Sequence, residues 1–327
     1  MALHRMCTSK ILKVSVLTVL ATSVFSGCMS TTAVGYGAER KQLLVTSQDR
    51  AIKKADKHNK KSIQASERPY HDVYEQRLVR IINRLSPYAD LYTAEGRVVE
   101  WDLILLGGKN SQKSQAGALA NGTITMTRKM VKNSTFKSDE ALAYVLAHEM
   151  AHVVRQHHRE TETWGFVVKP MLFSTALLTS GATSLIAAAA HDTKRFSKVM
   201  EKEADLLGLE IMAQAGFNPE KAMNIFNDMQ STLKTEFPIS SRLPSILKAH
   251  PSMEKRTEYS SDYLTHVMPL YEQSLGTERL VARNPIRPNL DSTKTVYLYN
   301  PAVESMLNVG LAEADISESE IAALNLP

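Results

Sequence analysis

Cysteine is almost missing from the 327 residues: only Cys7 and Cys28 occur. Two so placed fit neither a disulfide framework nor a paired-cysteine metal site. A glycine-rich phosphate loop is also lacking, since Gly35-Tyr36-Gly37 is too poor in glycine to be one. No large excess of one charge exists. The 39 basic and 34 acidic residues give +5, and three of the basic ones (Arg5, Lys10, Lys13) stand in the first 28 residues beside no acid. Without that segment, 36 basic against 34 acidic residues leave +2. A nucleic-acid partner is therefore not implied.

What the chain does contain centres on Ser138 to Glu160, SDEALAYVLAHEMAHVVRQHHRE. The spacing predicts one amphipathic helix. Ser138 is an N-cap, Asp139 and Glu140 complement the helix dipole, and Leu142, Val145, Leu146, Val153 and Val154 form an apolar stripe. His148 and His152 are four apart on one face, about 6 Å along the axis. Both imidazoles can reach one metal ion, and Glu149 can address a water activated by that ion. Zinc needs at least a third protein ligand. Met200 to Ala215 reads as a second helix, closed by Gly216, with Asn218 and Pro219 starting another. Glu201 and Asp205 share one face of it, which suits a ligand and a partner for a ligating histidine. Glu203 points elsewhere and is expected in solvent.

Met1 to Lys13 is basic, and Val14 to Phe25 is an apolar run too short to span a bilayer, so residues 1–27 read as a secretory signal peptide. Phe25-Ser26-Gly27-Cys28 resembles a bacterial lipobox. Cys28 would then be the acylated first residue of the mature chain, and Met29 after it favours the outer membrane. Residues 28–67 are expected as a tether followed by a basic helix, which is either a solvated face or a contact for anionic lipid. Tyr70 to Leu85 is predicted helical and Val98 to Leu106 a buried strand. Asn121-Gly122 predicts a hairpin between Ala116–Ala120 and Thr123–Thr127, with Ile124 and Met126 inward. Its first arm is either a structural edge or one that an extended substrate joins as a strand. Trp164 to Ala190 is apolar but too short to cross twice, and reads as a helical hairpin or lid that packs over the cleft or dips into the bilayer surface, or as buried core. Residues 264–327 form an extension whose role the sequence does not give.

His148-Glu149-Met150-Ala151-His152, followed about fifty residues later by Glu201-Lys202-Glu203-Ala204-Asp205, resembles the gluzincin metallopeptidases of the HtpX and CAAX prenyl endopeptidase family. Gln115 to Met126 is similar to that family's edge strand and hairpin, Asp205 to Pro219 to its zinc-glutamate helix and exit, and His250-Pro251-Ser252-Met253-Glu254-Lys255-Arg256 to its late motif. The likeness covers about Arg68 to Tyr263 and is nearest to a periplasmic lipoprotein branch. It implies a mainly helical α+β zincin fold over residues 68–263 with a small sheet. It implies one Zn²⁺ per chain held by His148, His152 and Glu201, with Glu149 catalytic. Asp205 would stand behind a ligand, and His250 and Arg256 near the site, one of them stabilising the oxyanion. The substrate edge would be Ala116, Gly117, Ala118 and Leu119. Gly117 stands where relatives often carry an aromatic and Lys129 where they often carry glycine, which leaves the pocket shape open. Expected substrates are unfolded or misassembled envelope proteins, met on the periplasmic side by a chain anchored to the membrane through Cys28. The rival expectation is an envelope chaperone with latent proteolysis.

Overall fold

The computed structural model describes residues 28–29, 31–32, 34–65, 73–94, 97–107, 116–168, 170, 182–225 and 253–286. In chain order these give β1 (Cys28–Met29), β2 (Gln42–Leu43), α1 (Gln48–Ala65), α2 (Val73–Asp90), β3 (Asp102–Leu106), β4 (Ala116–Ala118), β5 (Thr123–Thr127) and α3 (Arg128–Val131). They continue with α4 (Asp139–Val154), α5 (His157–Thr163), α6 (Ala182–Gln214) and α7 (Met253–Leu275). The architecture is α+β and mainly helical, as expected.

Helix α4 is the centre. Ser138 Oγ accepts from the Ala141 backbone N–H at 3.1 Å, so the predicted cap forms. Every residue from Ala141 to Val154 is buried, because α2, α6 and β4 cover it from different sides. Helix α6 comes so close that a Cβ on Gly208 would lie 3.0 Å from the backbone N of His148. Only a residue without a side chain lets the two helices meet there. The sheet runs β3-β5-β4, with β5 central, parallel to β3 and antiparallel to β4. The Asn-Gly turn joins β4 to β5 as predicted, with Gly122 at φ +92°, and Ile124 and Met126 are fully buried. Among the described residues β4 is thus an edge strand, and it lies beside α4.

Four expectations change. The helix predicted from Ser138 to Glu160 is two helices, broken at Gln156, which takes φ +52°. The Arg155 carbonyl, which a continuous helix would use four residues on, instead accepts from Thr31 Oγ1 at 3.1 Å and Gln42 Nε2 at 2.7 Å. Those two residues lie in the stretch expected as a tether. Thr31, Thr32, Gln42 and Leu44 are buried, and β1 pairs with β2, so this stretch is a strap built into the domain. Helix α6 begins at Ala182 rather than Met200, and so includes the end of the apolar Trp164–Ala190 stretch. It ends as predicted at Gly216 (φ +78°), where Phe217 N–H donates to the Met212 carbonyl and Gly216 N–H to that of Ala213, each at 2.9 Å. Last, the boundary expected at Tyr263 falls inside α7, and Asn83 on α2 makes two hydrogen bonds to the backbone of Ile286.

Of the apolar stretch, Trp164–Val168 forms a π-helical turn; residues 169 and 171–181 lie outside the described residues. Among the described residues no helix is long and apolar enough to cross a membrane. The signal segment 1–27, His250 and the connector and elements expected beyond residue 286 also lie outside the described residues.

Candidate metal centre

The periodicity of α4 places His148 and His152 side by side, and the crossing of α6 brings Glu201 over both. The two Nε2 atoms are 3.2 Å apart. Glu201 Oε2 is 3.6 Å from His148 Nε2, and Oε1 is 3.5 Å from His152 Nε2. All three side chains are buried. At tetrahedral angles, bonds of about 2.0–2.1 Å put ligand atoms about 3.3–3.4 Å apart. The three observed separations straddle that value, so one small divalent ion fits between these atoms.

Each histidine is held from behind. His148 Nδ1 lies 2.9 Å from Asp205 Oδ1. A carboxylate there keeps the proton on Nδ1 and turns the Nε2 lone pair to the ion. Asp205 also accepts from Arg256 (Nε to Oδ2 2.8 Å, Nη2 to Oδ1 2.5 Å), from Tyr144 Oη at 2.7 Å and from Tyr259 Oη. Burial would raise the Asp205 carboxyl, but Arg256 and His148 outweigh it and hold it well below the ordinary range. Arg256 is therefore a counter-ion of Asp205, reaching the site through His148; its expected approach to the oxyanion is not what these contacts serve.

Behind His152 stands a residue that no spacing in the sequence singles out. His157 Nδ1 is 2.8 Å from His152 Nδ1, and His157 Nε2 is 3.0 Å from Glu203 Oε2. In an unbroken helix residues five apart lie about 140° round from each other. The break at Gln156 is what brings the rings together. Glu203, expected in solvent, is 3% exposed and forms ion pairs with Arg40 and Arg155. A buried acid two residues from a candidate ligand was the only signal available, and burial is not visible in a sequence.

Glu149 is 3% exposed, and among the described residues its Oε1 has no hydrogen-bond partner. An acceptor buried beside a ligand set at such a cost fits a site completed by an ion and its water. On β4 the Leu119 N–H is already taken by the Thr123 carbonyl at 2.9 Å. Leu119 therefore belongs to the turn, and backbone alternation leaves Ala116 and Ala118 facing away from β5. Cys28 opens β1, paired with Leu43.

Burial pushes the Glu201 carboxyl up to about 7, against the pull of His148 and Arg256. In the metal-free protein its protonated form is favoured below that pH, and there a metal must displace a proton. Apparent metal affinity is expected to fall by about tenfold per pH unit below 7 from this group alone, and to level off above it. The same shift makes the metal-free fold less stable as pH rises from the ordinary 4.5 through 7. Metal titrations between about pH 5.5 and 8 check this; a flat profile would remove Glu201 from the ligand set.

Comparison with known proteins gives a consistent placement. The sequence pattern of Peptidase family M48 matches residues 74–262. The beta-barrel assembly-enhancing protease of Escherichia coli (strain K12) is 28% identical over 177 residues, 50% of this chain and 35% of that protein. The mitochondrial metalloendopeptidase OMA1 of Schizosaccharomyces pombe is 33% identical over 140 residues, 42% of this chain and 40% of that protein. Its counterpart in Saccharomyces cerevisiae is 31% identical over 140 residues. The chain spans well under half the length of these curated relatives. With a matched stretch that runs from Tyr74 on α2 to Asp262 on α7, and so takes in the histidine pair, Glu149 and Glu201, the chain belongs to peptidase family M48.

Proposed function

We propose that the protein is a zinc-dependent endopeptidase of the bacterial cell envelope, acting on misfolded or unassembled envelope proteins. The observation that carries this is the convergence of His148, His152 and Glu201 within 3.2–3.6 Å, beside a Glu149 Oε1 that has no partner among the described residues. Relatives named as a protease and as metalloendopeptidases support it.

When bound, zinc would lower the pKa of its water to about 7 and polarise the scissile carbonyl. His148, His152 and Glu201 hold the ion. Glu149 takes a proton from the attacking water and returns it to the leaving amine. Asp205, clamped by Arg256, keeps His148 in the ligating tautomer. The outward side of β4 at Ala116 and Ala118 would take an extended substrate segment as an added strand, which aligns a peptide bond along α4. Acylation at Cys28 would fix the domain at the membrane. Thr31 is already buried, so the slack is only about 10 Å of chain. This supports a domain resting at the bilayer surface rather than at the end of a leash.

The test is cleavage of an unfolded envelope protein by the full-length mature protein, with and without a zinc chelator. Cleavage abolished by the chelator and restored by zinc is the expected result. Binding of the unfolded protein with no cleavage in either arm would favour the chaperone reading, which the same β4 edge could serve.

A further inference from the structure

The polar chain behind His152 continues past His157. Glu203 Oε1 accepts from Arg40 Nε at 2.5 Å, and Oε2 accepts from Arg40 Nη2 at 2.8 Å. Arg40 also binds Glu160 through Nη1 at 2.6 Å and Nη2 at 2.8 Å. Arg155 Nη2 lies 3.4 Å from Glu203 and donates to the Gly37 carbonyl at 2.7 Å. Two guanidinium groups thus face two buried carboxylates, and the charges cancel. The strap lies directly on Glu203, since a Cβ on Gly37 would fall 2.8 Å from its Oε1.

We propose that His157, Glu203 and Arg40 are positioning residues of the metal site, fixing His152 in the tautomer that presents Nε2 to the ion. The proton count requires it. A neutral imidazole carries one N–H. The Glu203 carboxylate can only accept, so it claims the His157 proton on Nε2. His157 Nδ1 is then an acceptor, and the atom facing it at 2.8 Å, His152 Nδ1, must carry a proton. That leaves the lone pair of His152 on Nε2, toward His148 and Glu201. The two guanidinium groups already offset Glu203 and Glu160, so a further positive charge on the buried His157 ring would have no counter-ion, and the ring is neutral. Arg40 offsets the charge of Glu203 and holds its carboxylate in line. The strap that follows Cys28 is in this way part of the metal site: a residue 112 positions before His152 in the chain steers one of the ligands.

This inference rests on zinc being the resident ion, and the experiment separates the two. Zinc affinity of the full-length mature protein is measured by competition with a chromophoric chelator, and the visible spectrum of the cobalt form is recorded. Melting of the metal-free protein is followed alongside. His157→Leu is expected to bind zinc about 10–100-fold more weakly and to change the cobalt spectrum. His157→Asn, whose Oδ1 can accept in place of Nδ1, is expected to recover most of the affinity. A purely structural role would lower the metal-free melting temperature and leave zinc affinity alone. Unchanged affinity in His157→Leu, or equal weakness in His157→Asn, would overturn the proposal. Should His157→Leu not fold, Arg40→Met carries the test: weaker zinc binding is expected, and unchanged binding overturns it. If the wild-type protein itself takes no zinc, it is the functional reading that fails.

Discussion

Glu149→Gln is expected to cut turnover between about a hundredfold and ten-thousandfold while zinc stays bound with unchanged affinity. Glutamine has nearly the same shape, so the packing around this buried position persists, but an amide cannot take a proton from water or pass one to an amine. The atoms that would hold the ion belong to His148, His152 and Glu201, none of which the substitution touches. The loss should therefore fall on kcat, with KM little changed. Steady-state cleavage of an unfolded protein and the zinc content of the same preparation measure both halves. Retained activity would end the proton-transfer role. Loss of zinc along with activity would recast Glu149 as a support for the metal.

The largest expected effect on stability comes from Asp205→Ala. Asp205 is fully buried, accepts from Arg256, Tyr144 and Tyr259 at once, and lies 2.9 Å from His148 Nδ1. Its removal takes the carboxylate from Arg256, which is 7% exposed and cannot turn to water without repacking α7 against α6. Breaking a buried pair on one side costs about 3–5 kcal/mol. In a domain of this size that corresponds to a melting temperature lower by roughly 10 °C. Metal affinity should fall as well, by about 10–100-fold, because His148 loses the acceptor that orients it. A melt of the metal-free protein and a zinc titration read the two effects separately. An unchanged melting temperature would show that Arg256 finds other compensation, and the clamp described here would be wrong.

Much of the site was open to reading because its first layer is local. The period of an α-helix fixes that residues 148 and 152 share a face, whatever surrounds them, and Ser138 caps that helix through an atom three residues away. Asn121-Gly122 and Gly216 likewise set their turns from within, through φ values of +92° and +78° that glycine adopts without strain. Spacing and resemblance together point to the helix that carries Glu201, although that helix starts at Ala182 rather than Met200. The burial of Glu203 was not readable. Helical geometry says on which side of α6 it emerges; it says nothing about what lies there.

From its residues alone this chain determined a histidine pair on one helix, a carboxylate helix to meet it, and the turns between them, because each depends on neighbours within a few positions. Tertiary structure decided where α4 ends and what stands behind its second histidine. The Arg155 carbonyl is captured by Thr31 and Gln42, 124 and 113 residues away, and that capture breaks the helix and swings His157 under His152. Contacts across such separations leave no periodic trace in a sequence, since they depend on which surfaces the fold brings together rather than on the spacing along either one.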